Sequence, residues 1–155
     1  MKAGIGFRTH RCQRGVAAVE FALVAGIFFT LLIGIVEFSR VLFYWNTAGE
    51  ATRLGARLAA VCDYKAPGIY KQMRQMMPLL SDANIDISYE PSSPTQCDPD
   101  AATARKTCES VTVRVVDVNV ATVIPIVPIS LTMPPFTTTL PRESMNSATG
   151  GPVCS

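Results

Sequence analysis

The chain has 155 residues, of which 48% are hydrophobic and 17% charged, so it is more apolar on average than an ordinary soluble domain. Its net charge is +2, but residues 1–15 hold four basic residues and no acid, which leaves ten basic against twelve acidic residues in the remainder. The basic excess therefore indicates membrane topology and not a nucleic-acid surface. The only histidine, His10, lies in the same segment. Its position excludes Ser–His and Cys–His catalysis and most metal sites elsewhere, and no catalytic, metal, cofactor or small-molecule site is predicted.

A segment that can cross a membrane follows directly. Residues 16–36 contain one charged side chain, that of Glu20, and a transmembrane helix requires about 20 apolar residues. The positive-inside rule places residues 1–15 in the cytoplasm and the chain beyond about residue 40 outside. A secretory signal peptide has its apolar region before the cleavage site, whereas here a basic leader ends at Gly15 and the apolar run follows. The apolar segment is therefore kept, either after cleavage behind Gly15 or as an uncleaved signal anchor.

Small side chains recur at every fourth position of this segment, and in a helix such positions form a strip along one face. Lipid provides no hydrophobic force between helices, so close packing through small residues drives their association. The pattern favours packing against other helices over chance in an Ala/Gly-rich segment. The strip consists of Ala18, Ala22, Gly26, Thr30 and Gly34.

The same helix is predicted to continue beyond the membrane to about residue 62. Aromatic residues stand where an outer-interface belt belongs, and further along the chain an apolar stripe and a charged face recur at helical spacing. The belt is Phe43, Tyr44 and Trp45; the stripe is Leu54, Leu58 and Val61; the charged face is Glu50, Arg53 and Arg57.

A second, short helix is predicted over residues 67–80, after a break at Ala66-Pro67-Gly68. Its apolar residues lie near one face and are expected in a core or a helix-packing surface rather than at a cofactor site. They are Ile69, Met73, Met76 and Met77.

Strands are predicted at residues 85–89 and 111–120, the second with β-branched residues alternating along one face. Residues 121–136 contain four prolines before the final Phe and are interpreted as an apolar connection that lies on the sheet, the long helix or the membrane surface. Residues 136–142 predict a last, edge strand. The tail after Ser144 is expected to be disordered unless Cys154 anchors it. The fold class is therefore α+β, with one long N-terminal helix, a short helix and a small antiparallel sheet.

Four of the five cysteines lie on the predicted outer side, where disulfides persist. Four cysteines allow three pairings, and the spacings match no zinc pattern. We favour a bond between Cys97 and Cys108 that closes a polar loop, and one between Cys62 and Cys154 that ties the tail to the helix. The alternative is that one or more thiols stay free.

A lone carboxylate near the membrane is costly unless it has a partner or a function. Cleavage after Gly15 creates an amine at Val16, and Glu20 lies four residues further along the same helix. The amine of the same or a neighbouring chain is then a natural partner for this carboxylate. Side-by-side helices would thereby favour one axial register.

Residues 14–21, Arg-Gly followed by Val-Ala-Ala-Val-Glu-Phe, resemble the cleavage site of type IV prepilin-class proteins. With the basic leader, the long helix and the β-rich end, they most resemble TadE-like minor pilins, or pseudopilins, of the tight adherence (Tad or Flp) pilus system. The segment AGEATRLGARLAA at residues 48–60 and the stretch LPRESM at residues 140–145 are also similar to that family. The loop bounded by Cys97 and Cys108 departs from the pattern and leaves its own function open.

The resemblance implies a role for each matching residue. Gly15 would precede the scissile bond of a class III signal peptide, Val16 would be the mature N-terminus, Glu20 would serve recognition or assembly register, and Phe21 would complete the motif. A membrane prepilin peptidase would perform the cleavage, so the chain would be a substrate and not an enzyme. Its partners would be the membrane, that peptidase, and other pilins and pilus-assembly proteins.

The resulting organisation is a leader at residues 1–15, a transmembrane helix that continues outward over residues 16–62, and an extracytoplasmic β-rich domain over residues 63–155. The protein would be single-pass in a bacterial inner membrane, with its C-terminal domain periplasmic, or carried into the extracellular pilus. Two other readings remain: an unprocessed bitopic subunit of an envelope complex, and a membrane-bound enzyme that uses an outer residue such as Ser88 or Lys65.

Overall fold

The structure is a computed structural model, and it describes residues 13–91, 97, 100–123 and 129–155. The predictions for residues 1–12 and for the centre of the apolar connection, residues 124–128, lie outside the described residues. The chain forms two compact units, one ending at Ser39 and one from Arg40 to Ser155. The elements make an α+β, pilin-like fold with a long N-terminal apolar helix, a short helix and small antiparallel sheets, as the sequence predicts.

The elements follow in chain order and are numbered accordingly. The helices are α1 (Gln13–Val61), α2 (Pro67–Met76), α3 (Ala101–Thr107) and α4 (Ser147–Gly150), with short 3₁₀ turns at Asp82–Asn84 and Gly151–Cys154. The strands are β1 (Ile85–Glu90), β2 (Ser110–Val115), β3 (Asn119–Ala121), β4 (Ser130–Thr132) and β5 (Phe136–Pro141).

A three-stranded antiparallel sheet with the order β1-β2-β5 forms the centre of the second unit. Ile85 pairs with Val115 at one end of β1 and β2, and Val115 pairs with Phe136 on β5. The alternating valines of β2 are buried, so the face on which they were predicted to lie together is the face that packs into the core. The last strand is at the edge, as predicted.

The helix α1 packs on this unit through small residues. Ala48, Ala51, Ala56 and Ala59 have no exposed surface, and the hydroxyl of Thr138 on β5 donates to Thr52 over 3.1 Å. The predicted stripe of Leu54, Leu58 and Val61 is only half-buried, so it is not the main buried face. Alanine side chains allow a closer approach of the neighbouring backbone than leucine does, and the buried face of α1 is therefore the alanine face. The charged face of Glu50, Arg53 and Arg57 is exposed, as predicted.

The second helix is shorter than predicted, because Pro78 ends it. The residue before a proline is driven out of the helical region, and Met77 is extended, with φ −132° and ψ 91°. Ile69, Met73 and Met77 are fully buried, whereas Met76 is 42% exposed and does not belong to the predicted cluster in the core.

The predicted strand over residues 111–120 is two strands. Asp117 has φ +53°, in the left-handed region, which ends β2 before β3 begins. The side-chain amide of Asn84 donates to the carbonyls of Val116 and Asp117 over 3.0 and 3.1 Å and holds this turn. β3 pairs with β4, whose three residues lie within the stretch predicted as an irregular connection.

The loop between the second cysteine pair also contains more order than predicted. The helix α3 lies inside it, with the carboxylate of Asp100 accepting from the backbone N–H of Thr103 over 3.0 Å as an N-cap. Cys97 is bonded to Cys108, and Cys62 to Cys154, the two pairings favoured from the sequence. Cys154 is buried and anchors the tail. The tail is ordered from Ser144 to Cys154, as expected when this cysteine anchors it.

Candidate assembly site on the N-terminal helix

The candidate processing residues lie in the first turns of α1, within the first unit. The described part of α1 starts at Gln13, so the Gly15–Val16 bond lies within the helix. Val16 is 69% exposed and Phe21 is 75% exposed. A Cβ built on Gly15 meets no atom within 4 Å, so folding of the described chain does not require a glycine here.

Glu20 is one helical turn beyond Val16, on the same face of α1. Its side chain is exposed, and among the side chains that the structure describes none bonds to its carboxylate. The surrounding residues, Val19, Leu23 and Val24, are apolar and exposed. The carboxylate of Glu20 therefore lies among apolar side chains, an arrangement that lipid penalises unless a cation meets it.

The predicted strip of small residues is exposed along its whole length. A Cβ at Gly26 or Gly34 meets nothing within 4 Å, so the packing of the described chain does not demand glycine at either position. The hydroxyl of Thr30 donates to the carbonyl of Gly26 over 2.8 Å, so its polar group is satisfied within the helix. A neighbouring helix can approach this strip without leaving that hydroxyl unpaired. The strip residues Ala18, Ala22, Gly26, Thr30 and Gly34 are all exposed.

This part of α1 has the length and composition of a membrane span. Between Gly15 and Val61 it contains an 18-residue window of mean hydropathy 2.5, none of it buried in the protein. Within the described ranges it is the one helix that is long and apolar enough to cross a membrane. It therefore indicates single-pass membrane anchoring.

Arg40 is the first residue of the second unit and was not singled out by the sequence analysis. Its guanidinium lies 5.9 Å from the ring centre of Tyr44 and donates a short hydrogen bond to the carbonyl of Ala121 at the end of β3. Trp45 packs edge-on against Phe136 at 5.8 Å, so one member of the predicted aromatic belt contacts the sheet. The sequence feature that could have identified Arg40 is its position as the first basic residue after the apolar run.

The opposite end of α1 is held by an ion pair that the sequence analysis also missed. The guanidinium of Arg105 on α3 lies 2.6 Å from the carboxylate of Asp63 and donates through Nε to the carbonyl of Met145 over 2.8 Å. The hydrogen bond from Arg105 lowers the pKa of Asp63, and partial burial offsets some of that effect. The backbone N–H of Asp63 donates to the hydroxyl of Ser147, which connects α1 to the C-terminal tail.

A buried tyrosine completes this end of the unit. The backbone N–H of Lys65, a residue with φ +48°, donates to the hydroxyl of Tyr89 over 3.0 Å. Tyr89 also stacks on Tyr64 with the ring centres 4.5 Å apart. Burial raises the pKa of Tyr89 to about 12, so the phenol is neutral at any ordinary pH. This tyrosine therefore serves packing and turn stability.

The described residues bring together no group of three His, Cys, Asp or Glu side chains in a metal-binding arrangement. Ser88 lies on β1 with its hydroxyl directed to the carbonyl of Thr112, 3.5 Å away, and Lys65 has its ammonium 5.6 Å from the ring centre of Tyr64. These two residues, which the enzyme reading named, thus have separate structural contacts.

Comparison with protein families gives a match to the N-terminal helix. Residues 15–57 match the model of the TadE-like protein family. The predicted TadE-like resemblance is confirmed over this segment, which begins at the candidate processing glycine. Searches of curated proteins and of solved structures gave no match.

Proposed function

We propose that this protein is a TadE-like minor pilin or pseudopilin of a Tad (Flp) pilus. A prepilin peptidase removes residues 1–15, and the N-terminal helix then packs into the pilus or at its base. The observation that carries this proposal is the exposed carboxylate of Glu20, which bonds to no side chain that the structure describes and lies one turn after Val16 on the TadE-like helix. Such a group has a clear use once a neighbouring chain supplies a cation.

Cleavage supplies that cation. Hydrolysis of the Gly15–Val16 bond leaves the α-amine of Val16 protonated at neutral pH, since α-amines have a pKa near 7.7–8.0. In a low-dielectric environment the ammonium and the carboxylate of Glu20 attract strongly, whereas an unpaired carboxylate is destabilised. A neighbouring helix that inserts its Val16 amine beside Glu20 is thus fixed at one axial position.

The small strip supports close contact between such helices. Gly26 and Gly34 leave the helix surface open where no atom of the described chain fills it. Close approach there gives van der Waals contact that lipid chains do not match. The carboxylate of Glu20 then sets the axial register of neighbouring helices, and the strip of small residues sets the distance between them.

In this role the protein is the substrate of a peptidase and not itself an enzyme. Its N-terminus lies in the cytoplasm, and the unit from Arg40 to Ser155 lies outside the inner membrane or on the pilus. The disulfides Cys62–Cys154 and Cys97–Cys108 suit an oxidising compartment of this kind.

The test is the intact mass and N-terminal peptide of the protein isolated from its native membrane. We expect a chain that begins at Val16, and a full-length chain in cells whose prepilin peptidase is inactive. The matched variant is Gly15→Val, which meets no steric obstacle in the fold. We expect it to insert normally and to keep its leader.

A second candidate is an unprocessed bitopic subunit of an envelope complex. It is favoured by the unbroken course of α1 through Gly15 from Gln13, as an uncleaved anchor requires. A chain that retains residues 1–15 in the presence of active peptidase would establish this candidate and remove the pilin assignment.

A further inference from the structure

We propose that the C-terminal segment, residues 143–155, is a redox-sensitive strap. In its closed form it caps the end of α1 and is held by the Cys62–Cys154 disulfide. When that bond is reduced the strap opens, while the three-stranded sheet stays folded. The proposal goes beyond the pilin assignment and depends on neither processing nor assembly. Every residue that it uses lies in the second compact unit.

The closed strap supplies hydrogen-bond donors to the last turn of α1. The carbonyl of Ala60 accepts from the N–H groups of Glu143 and Met145 over 3.0 and 3.2 Å. The carbonyl of Val61 accepts from the N–H of Asn146 over 2.7 Å. The last carbonyls of a helix have no donor within the helix, so the strap acts as their cap. When the strap opens, water can bond to these carbonyls in its place.

Few side chains of the strap are buried. Among residues 143–155 only Met145 and Cys154 are buried, and Cys154 is one end of the disulfide. Hydrophobic stabilisation is roughly proportional to the apolar area removed from water, whereas the ordering of each residue costs conformational entropy. One buried methionine and a few hydrogen bonds are therefore a weak hold on a segment of this length. The covalent bond decides whether the strap stays closed.

The strap also covers the bond that holds it. Cys62 has no exposed surface, and Cys154 is 4% exposed. A Cβ built on Gly150 would lie 2.4 Å from the Sγ of Cys154, so the backbone of the strap lies directly against that sulfur. A reducing thiolate has to reach a sulfur atom of the bond. Reduction therefore begins with a local opening of the strap, and the closed form is protected from it.

The core of the unit does not depend on the strap. The valines of the central strand β2 are buried, and Ile69 and Met73 on α2 are fully buried as well. A Cβ built on Gly55 would lie 2.5 Å from the Sδ of Met73, so this side chain fills a notch on α1 without help from the strap. Met145 and Cys154 are the only strap residues in the core cluster. Proteins open locally in cooperative pieces smaller than a domain, and the strap is such a piece.

The redox step exchanges one disulfide for another. One thiolate of a dithiol attacks a sulfur of the Cys62–Cys154 bond and releases the first cysteine, and the second thiol of the dithiol then displaces the other. Two electrons pass to the cysteine pair, the two protons of the dithiol end on the cysteine thiols, and the dithiol becomes a disulfide. Closure in an oxidising compartment is the reverse reaction, with the disulfide of a thiol oxidase as the oxidant.

The experiment measures amide hydrogen exchange in the full-length protein in detergent. The variant Cys62→Ala/Cys154→Ala removes the bond that holds the strap and adds no buried hydroxyl. The matched control is Cys97→Ala/Cys108→Ala, which removes the other disulfide and leaves the strap tied.

We expect the N–H groups of Asn146 and Gly150 to exchange at least about tenfold faster in Cys62→Ala/Cys154→Ala than in the parent. The N–H of Val113 on β2 should stay within about threefold of its rate in the parent, because the sheet remains folded. In the control variant the exchange rates of the strap should be those of the parent.

Two results would overturn the proposal. Exchange that rises equally at Asn146 and Val113 would show that the bond holds the whole unit, and unchanged exchange at Asn146 would show that the strap stays closed without it. If Cys62→Ala/Cys154→Ala fails to fold, the folded control variant, which keeps the Cys62–Cys154 bond, is reduced with dithiothreitol. The same comparison of Asn146 with Val113 then gives the same decision.

Discussion

The carboxylate of Asp63, just beyond the end of α1, lies 2.6 Å from the guanidinium of Arg105 in the middle of the cysteine-bounded loop. The same arginine reaches the carbonyl of Met145 in the tail, and its own carbonyl accepts a short hydrogen bond from Arg142 after β5. One side chain thus connects the long helix, the loop and the C-terminal segment. Three regions that are distant in sequence depend on it.

This ion pair should make the stability of the outer unit fall in acid. The pKa of Asp63 is lowered in the folded state relative to the usual value of 3.8, so folding favours the charged carboxylate. The stabilisation is complete well above pH 3.8 and is lost as the pH falls through that value towards the lower folded-state pKa. Thermal unfolding of the full chain in detergent, followed from neutral pH to about pH 3, measures this slope.

The variant Asp63→Asn isolates the contribution of the Asp63–Arg105 ion pair to the stability of the unit. We expect it to cost about 1 kcal/mol at neutral pH, since the pair is partly exposed and screened by solvent, and to flatten the acid slope. Asp86→Asn on the exposed face of β1 is the matched control and should leave the slope as it is. A slope that persists unchanged in Asp63→Asn would assign the acid sensitivity to other carboxylates.

The two disulfides should contribute unequally. Cys62 and Cys154 are 92 residues apart in sequence, whereas Cys97 and Cys108 are 11 apart. In the chain-entropy model the longer loop gives about 4–5 kcal/mol and the shorter about 3 kcal/mol. Chemical denaturation of paired Cys→Ser variants, Cys62/Cys154 against Cys97/Cys108, compares them directly. A larger loss from the Cys97/Cys108 variant would contradict this ranking.

Gly68 is the point where the tail touches α2 most closely. A Cβ at this residue would lie 2.4 Å from the carbonyl carbon of Cys154 and 2.5 Å from the carbonyl oxygen of Val153, both backbone atoms that cannot easily give way. We expect Gly68→Ala to displace the tail, to cost about 1–3 kcal/mol and to speed reduction of the Cys62–Cys154 bond by added thiol.

Gly49→Ala provides the matched control for this substitution. Its Cβ would lie 3.9 Å from Cδ1 of Phe136, an ordinary contact, and alanine in a helix interior is favoured over glycine by roughly 0.5–1 kcal/mol. It should therefore be neutral or stabilising in thermal unfolding. Equal rates of disulfide reduction in the two variants would contradict this prediction, because they would show that the tail accommodates the added methyl group at residue 68 without exposing the Cys62–Cys154 bond.

Much of the fold could be predicted from the sequence, because periodic patterns of apolar residues and single prolines mark its elements. The apolar length of α1, the alternation at Val111 and Val113, and the proline that begins α2 each predict their element directly. The buried alanine face of α1 could not be predicted, because both leucine and alanine residues recur at helical spacing and the spacing does not say which set is buried. Only the close approach of β5, seen in the bond between Thr138 and Thr52, decides the choice.

The misplaced boundaries have local physical causes. The break between β2 and β3 depends on a left-handed Asp117 held by Asn84, a residue 33 positions away, and such a distant contact has no pattern in sequence. The helix α3, in contrast, had a visible signal that was overlooked: Asp100 three residues before Thr103, with Arg105 near the helix end. Of the candidate site, the sequence supplied Glu20 and the small strip, but not Arg40 and its bond to Ala121.

The charge of Glu20 should matter for assembly and not for anchoring. Glu20→Gln keeps the size and hydrogen-bonding capacity of the side chain and removes the negative charge, so the helix should insert and fold as before. We expect the amount of processed protein that co-purifies with other pilus subunits to fall about tenfold, which corresponds to roughly 1.4 kcal/mol of lost pairing free energy. Glu37→Gln, the same change further along α1, is the control for loss of an acidic side chain elsewhere on the helix. Quantitative immunoblotting of membrane, processed and pilus-associated fractions measures insertion, processing and assembly separately. Unchanged recovery of Glu20→Gln with pilus subunits would contradict the prediction and leave Glu20 an ordinary interfacial acid.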